Sequence, residues 1–145
     1  MTIGAENEYL YNSSPTGVWR FNLASLEKKL IIGAGSLTDD GPIDEVNIKI
    51  PGSLISLNKD VLLIADEGTQ ALRVANLQSG SVSSICKPHD SEKFVAGNIS
   101  VCTLQKPKYL IHEIEPQNGT IYIGGENIYG LLYITIENQG KSSVF

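Results

Sequence analysis

Residues 53–86 read SLISLNKDVLLIADEGTQALRVANLQSGSVSSIC and contain four short apolar segments separated by polar ones. The separators, residues 58–60, 66–70 and 78–81, are rich in Asn, Asp, Gly and Ser, which favour turns. Between the last two separators, Ala71–Leu77 alternates at period two, as expected of a strand with one buried face. Short strands joined by tight turns predict an antiparallel meander of four strands.

The same pattern recurs on both sides of this segment. The recurring apolar segments are residues 8–11, 18–23 and 29–33 upstream, and 109–114, 120–123, 130–136 and 142–145 downstream. The segments that match the second strand begin near residues 9, 62 and 121, a spacing of 53 and then 59 residues. Repeats of about this length are associated with propeller blades. A generic β-sandwich is the alternative.

The segment Leu63–Val82 resembles an NHL repeat. In that family a blade strand ends in Ala-Asp, a turn containing glycine follows, and the next strand carries Leu-Arg-Val or a close variant. Here these features are Ala65-Asp66, Gly68 and Leu72-Arg73-Val74. Asp66 and Gly68 are therefore interpreted as turn residues, with the Asp66 side chain bonded to backbone amides of its turn.

The residues on either side of this repeat extend the resemblance. Gly33–Val46, which includes Asp40-Gly41, is similar to the loop that joins two NHL blades, so Asp40 and Gly41 are interpreted as turn residues too. The flanking copies match in strand layout, with Asn12-Ser13 and Gly124-Gly125 at the place of Ala-Asp. The resemblance implies an all-β chain of about three four-stranded blades.

The expected organisation is a single propeller segment with three blades. Blade 1 covers about 8–33, an inter-blade loop 34–49, blade 2 about 50–86, a connector 87–107 and blade 3 about 108–145. Closed propellers typically have four to eight blades, so this chain is expected to form an incomplete propeller. Its outer sheet faces are expected to pack on the remaining blades or on further copies of the chain. The first strand of blade 1 is missing unless residues 1–5 or another polypeptide supply it.

Composition and charge exclude several classes of function. The chain has 11 basic and 16 acidic residues, a net charge of −5, and its only arginines are Arg20 and Arg73, so a nucleic-acid partner is not expected. No apolar run approaches the roughly 20 residues of a transmembrane helix, and membrane insertion is not expected. The first eight residues show no signal-peptide pattern.

The residues that carry chemistry suggest neither a catalytic centre nor a cofactor or metal site. The two histidines are His89, in a predicted loop, and His112, on a predicted strand, which is too few for a histidine-rich metal centre. The acidic residues 39–45 offer oxygen ligands for calcium but lack the spacing of an EF-hand loop. The expectation is therefore a protein that is not an enzyme.

Two features favour an extracellular location. Cys86 and Cys102 are a candidate disulfide, which would close a loop of about 15 residues between blades 2 and 3. Asn12, Asn98 and Asn118 begin Asn-x-Ser/Thr sequons in predicted turns or loops and are candidate glycosylation sites.

The leading hypothesis for function is a non-catalytic interaction or scaffold module that binds another protein or a glycan through the loops at its rim. Tyr11 and Tyr129, near predicted turns, are candidate rim contacts. One alternative is a structural protomer of a glycosylated extracellular filament or coat that assembles through open blade faces. The other is part of a propeller hydrolase or lyase whose metal ligands lie outside this segment.

Overall fold

The computed structural model describes residues 1–4, 7–33, 35–87, 104–114, 118–125, 132–137 and 142–144. These residues form thirteen β-strands and no helix. The strands make three antiparallel sheets, one after another along the chain, and none of the sheets closes on itself. The prediction of an all-β chain built from antiparallel meanders is confirmed.

The three sheets, called sheets 1, 2 and 3, follow the chain order. Sheet 1 consists of β1 (Thr2–Ile3), β2 (Tyr9–Ser14), β3 (Gly17–Asn22) and β4 (Lys28–Ile32). Sheet 2 consists of β5 (Gly41–Pro42), β6 (Pro51–Asn58), β7 (Val61–Asp66), β8 (Ala71–Asn76) and β9 (Ser81–Ile85). Sheet 3 consists of β10 (Pro107–Ile114), β11 (Asn118–Gly125), β12 (Leu132–Glu137) and β13 (Ser142–Val144).

Two details of the pairing concern short strands at the edges of sheets 1 and 2. Thr2–Ile3 pairs with β2 and so supplies a short first strand to sheet 1. Gly41–Pro42, expected in a turn of the inter-blade loop, pairs with β9 instead and adds a fifth strand to sheet 2. The loop is short enough there to run beside the free edge of β9, so its backbone groups bond to that edge.

Sheet 2 lies between the other two sheets. Its interior strand β7 alternates strictly: Leu62 and Ile64 pack in one core cluster with sheet 1, whereas Leu63 and Ala65 pack in another with sheet 3. All four side chains are buried. A strand buried on both faces needs a continuous apolar run, and this requirement explains the uninterrupted sequence at residues 61–65.

The first long strands of the three sheets are neighbours. The hydroxyl of Ser13 in β2 donates to the carbonyl of Gly52 in β6 at 2.6 Å, and the hydroxyl of Ser53 in β6 donates to the carbonyl of Leu110 in β10 at 3.3 Å. A Cβ added at Gly52 would lie 2.6 Å from the carbonyl oxygen of Lys108, so only glycine permits this approach of β6 to β10.

Sheet 1 turns tightly between β2 and β3. Pro15 and Thr16 form a two-residue connection, and Gly17 has a φ of 124°, which a side chain rarely adopts. Asn12 therefore lies inside β2, although its sequon was expected in a turn, because the turn occupies fewer residues than predicted. Asn118 is likewise the first residue of β11 rather than part of a loop.

Candidate binding cleft between sheets 1 and 2

A cleft opens between sheets 1 and 2, at the end of the sheets that carries the β3–β4 and β8–β9 turns. The cleft continues into a second, adjoining cavity. The cavity between the sheets has a volume of about 300 Å³, the adjoining one of about 230 Å³ is lined by residues of sheet 1 and its β3–β4 turn alone, and Arg20 and Lys29 line both. We call this site the basic cleft. Ile31, Ile43 and Leu77 provide apolar lining in the larger cavity and also pack against the core shared by the two sheets.

Strand pairing places the two cations together. Arg20 in β3 and Lys29 in β4 are register partners, so their side chains lie next to each other on one face of sheet 1. The Arg20 guanidinium lies 4.5 Å from the ring centroid of Tyr9. This cation–π contact orients the guanidinium without neutralising its charge.

Polar groups of both signs surround the cations. Tyr9, Asn22 and Glu27 line the smaller cavity, and Asp44 lines the larger one. In the described part of the chain, the ion pairs are those of Asp40 with Arg73 and with Lys87. No carboxylate there lies within 4.0 Å of Arg20 or Lys29. Among the described residues, the carboxylates that line the cleft are thus too far from the two cations to form ion pairs with them.

The tyrosine predicted at the rim lies in the core instead. Tyr11 is 3% exposed and packs between sheets 1 and 2, while its neighbour Tyr9 is only partly buried and lines the cleft. Burial raises the pKa of the Tyr11 hydroxyl, and the positive charge of Arg20 opposes that rise. The rim contact predicted at Tyr11 does not fit the burial of its ring, whereas the ring of Tyr9 lines the cleft.

Asp66 holds the turn at the opposite end of sheet 2. Its buried carboxylate accepts hydrogen bonds from the backbone N–H of Gly68 and of Ile50 at 3.2 Å each, and from the Thr69 hydroxyl at 2.7 Å. A Cβ added at Gly68 would collide with the side chain of Lys49. Asp66 and Gly68 thus serve the turn and its contact with the chain before β6.

Arg73 anchors the inter-blade loop and is a residue that the sequence reasoning did not single out. Its guanidinium donates to the carbonyls of Thr38 and Asp39, at 3.2 and 2.8 Å, and to the Ser84 hydroxyl at 2.7 Å. The side chain is 1% exposed. The sequence did contain a signal for this role, because Arg73 is a charged residue within the alternating strand Ala71–Asn76. An arginine buried in a strand requires several hydrogen-bond acceptors from other segments.

Asp40, which was interpreted as a turn residue, also forms ion pairs with Arg73 and Lys87. It lies 3.8 Å from Arg73 and 2.9 Å from Lys87, and it accepts a hydrogen bond from Ser84 at 2.7 Å. Partial burial raises the pKa of Asp40, but the hydrogen bonds from Ser84 and Lys87 outweigh burial and lower it overall.

The outer faces of sheets 1 and 3 carry apolar side chains that no other sheet covers in the described structure. On sheet 3, Tyr109 and Ile111 are 60% and 65% exposed. On sheet 1, the aromatic rings of Trp19 and Phe21 lie beneath the Lys28 ammonium, at 4.1 and 5.5 Å from its nitrogen. We call these surfaces the open faces.

The remaining predicted site residues are distributed as follows. Asn12 is the register partner of Trp19, on the open face of sheet 1. His112 lies on β10, and burial lowers the pKa of its imidazole. Cys86 is buried beside sheet 3. The predicted residues Asn98, Cys102 and Tyr129 lie outside the described residues, as does the loop histidine His89, so the disulfide stays a prediction.

Neither a metal centre nor a membrane span is evident in the described ranges. No three His, Cys, Asp or Glu residues there form a group that could bind a metal ion. The same ranges contain no helical segment with the length and hydropathy of a transmembrane span. A comparison with models of known protein families and one with curated proteins find no match to this chain.

Proposed function

We propose that this chain is a non-catalytic interaction module made of three NHL-type propeller blades, acting outside the cell. The observation that carries the proposal is the arrangement of three consecutive antiparallel meanders. They lie side by side in chain order, with their first long strands adjacent. In a propeller, inner strands surround a channel and blades pack face to face, and both features suit this arrangement.

Residues at the strand ends support the blade interpretation of sheets 1 and 2. Asp66 ends β7 and bonds to the following turn. In sheet 1 the corresponding residue is Ser14, one position later than the Asn12-Ser13 pair in the sequence comparison. The Ser14 oxygen accepts from the Thr16 N–H at 3.3 Å and from the Trp19 indole at 3.1 Å. In both sheets, the polar side chain at the end of one strand, β2 in sheet 1 and β7 in sheet 2, thus bonds to the turn that follows that strand.

Two kinds of surface suit this module for binding. The basic cleft lies at the end of the sheets that carries the β3–β4 and β8–β9 turns, and turns at the end of a blade are a place for binding loops in propellers. The open faces expose large apolar side chains, which in soluble proteins mark interaction surfaces. We propose that further blades, from the same polypeptide or another copy, cover these faces.

The non-catalytic role is tested by assaying the full chain against hydrolase and lyase substrates with and without added divalent metals. The expected result is no turnover above that of buffer. Turnover that disappears in His112→Ala or in Asp66→Asn would refute the proposal. Lys59→Gln is the control variant, because Lys59 is exposed in the β6–β7 turn, at the other end of β7 from Asp66.

A second candidate is a structural protomer that assembles with copies of itself through the open faces. The exposure of Tyr109 and Ile111 favours it, since stable assembly requires burial above about 1,000 Å² of surface. The expected mass in light scattering exceeds the 15.7 kDa of one chain. A monodisperse species at 15.7 kDa would exclude this candidate.

Mixing two variants tests the geometry of such an assembly. Phe21→Asp alters the open face of sheet 1, and Ile111→Asp alters that of sheet 3. If sheet 1 of one copy packs on sheet 3 of the next, each variant alone stays monomeric. A mixture then forms pairs, because one contact between two unaltered faces is restored. Absence of pairs in the mixture, with wild-type assembly intact, would exclude head-to-tail contacts.

A further inference from the structure

The basic cleft places two cations side by side in an acidic protein. Arg20 and Lys29 are directly opposite each other on neighbouring strands, and like charges in that arrangement destabilise a sheet. The net charge of the chain is −5, yet neither cation has a carboxylate within 4.0 Å among the described residues. A bound anion would relieve the repulsion and pair both charges.

The other polar groups of the cleft restrict the class of anion. Glu27 and Asp44 line the two cavities at a distance from the cations, and Asn22 adds an amide. A ligand with several negative charges, such as an acidic peptide, would bring them close to Glu27 and Asp44. A ligand with one negative charge and several hydroxyl donors satisfies the cations and the carboxylates together.

The size and apolar lining of the cleft fit a sugar ring. The larger cavity, at about 300 Å³, is at the lower end of volumes for small-molecule sites. Ile31, Ile43 and Leu77 provide an apolar surface for the C–H face of a pyranose ring. The adjoining cavity, of about 230 Å³, has room for the exocyclic groups or for a second ring.

We propose that the basic cleft binds a sugar that carries a carboxylate. Arg20 and Lys29 pair with the carboxylate, Glu27, Asp44 and Asn22 bond to hydroxyl groups, and the apolar side chains contact the ring. This inference assigns a ligand class to one surface of the module. Its biological meaning rests on the proposed function. Binding of the sugar is a property of sheets 1 and 2 and does not require that the open faces be covered.

The test titrates sodium glucuronate and N-acetylneuraminate into the full chain and follows amide resonances by NMR. Saturable shifts are expected at residues of the cleft, and higher salt is expected to weaken binding. Arg20→Gln and Lys29→Gln are expected to weaken binding at least tenfold. Arg20→Lys, which keeps the charge but loses the paired donors, is expected to have an intermediate effect.

Lys49→Gln is the matched control, because it removes one exposed positive charge at the opposite end of sheet 2 and is expected to bind as wild type. Absence of saturable shifts in the folded chain would overturn the inference. Equal binding of neutral glucose would overturn it by showing that the carboxylate is not recognised. Binding of inorganic phosphate or of hexaglutamate as tight as that of the sugars would overturn it in favour of a general anion site.

The outcome is separable from that of the proposed function. If the chain binds neither sugar and shows no enzymatic turnover, the ligand assignment is overturned and the proposal of a non-catalytic module stands. Sugar binding accompanied by turnover of a glycoside would refute the non-catalytic role and retain the ligand class.

Discussion

Sheet 2 and the two sheets beside it were built from similar meanders but differ in what covers them. Sheet 2 contributes side chains to two cores, and its interior strand β7 is buried on both faces. Sheets 1 and 3 each bury one face and leave the other open, with residues such as Phe21 and Ile111 on the outside. Sheet 2 therefore relies on both neighbours for its cores, whereas sheets 1 and 3 each share one core with sheet 2.

The polar anchors show the same contrast. Asp66 and Arg73 are charged side chains buried in sheet 2, where they bond to backbone groups of the segments that enter the sheet. At the corresponding turn of sheet 1 the polar side chain is the neutral Ser14. Charged anchors can be retained in sheet 2 because several partners compensate for their loss of hydration.

The largest effect is expected from Asp66→Ala. The change removes three hydrogen bonds to a buried carboxylate and should lower the free energy of unfolding by about 3 kcal/mol. Asn22→Ala is the matched control, because Asn22 bonds to two turn amides at an exposed site and should cost only about 1 kcal/mol. Urea denaturation measures both free energies of unfolding. Equal decreases in the two variants would show that burial of the Asp66 carboxylate adds nothing to the stability that its hydrogen bonds provide.

Leucine truncations compare a covered strand with an open one. Leu62→Ala, at a fully buried position in β7, should cost about 3 kcal/mol. Leu10→Ala, in β2 on the open face of sheet 1, should cost about 1 kcal/mol, since its side chain is only partly buried. Urea denaturation measures both values. A loss at Leu10 as large as that at Leu62 would indicate that the open face is covered in solution.

Ile111→Thr probes the open face of sheet 3 directly. With Ile111 65% exposed, the change should alter the free energy of unfolding by less than about 0.5 kcal/mol in dilute solution. A cost that grows with protein concentration would instead show that a second copy packs on this face. Thermal unfolding over a hundredfold range of concentration distinguishes the two results.

The smallest effect concerns pH and His112. Burial lowers the pKa of this imidazole below its ordinary value of about 6.5, so folding favours the neutral form. Between the two pKa values the unfolded chain binds more protons, and the stability of the fold should therefore decrease as the pH falls below about 6.5. His112→Gln should reduce this dependence. An unchanged pH profile of unfolding in the variant would contradict it.

The sequence predicted the strand pattern of sheet 2 because its signals are local. Alternation and turn residues placed the strands near Val61–Asp66 and Ala71–Asn76 with little error. The candidate site was largely missed, because the basic cleft combines residues from separate segments. Arg20 and Lys29 meet through a register between strands, and Leu77 joins them from another sheet.

The amino-acid sequence alone was enough to predict an all-β chain of antiparallel strands, because period-two hydrophobicity and turn propensity act over a few residues. It also indicated that Asp66 serves a turn, since the partner amides follow it closely in the chain. Three properties are seen only in the folded chain. They are the burial of Tyr11 rather than Tyr9, the contact of Arg73 with a distant loop, and the identity of the open faces. These properties depend on contacts between residues far apart in the chain, for which no short-range pattern is diagnostic.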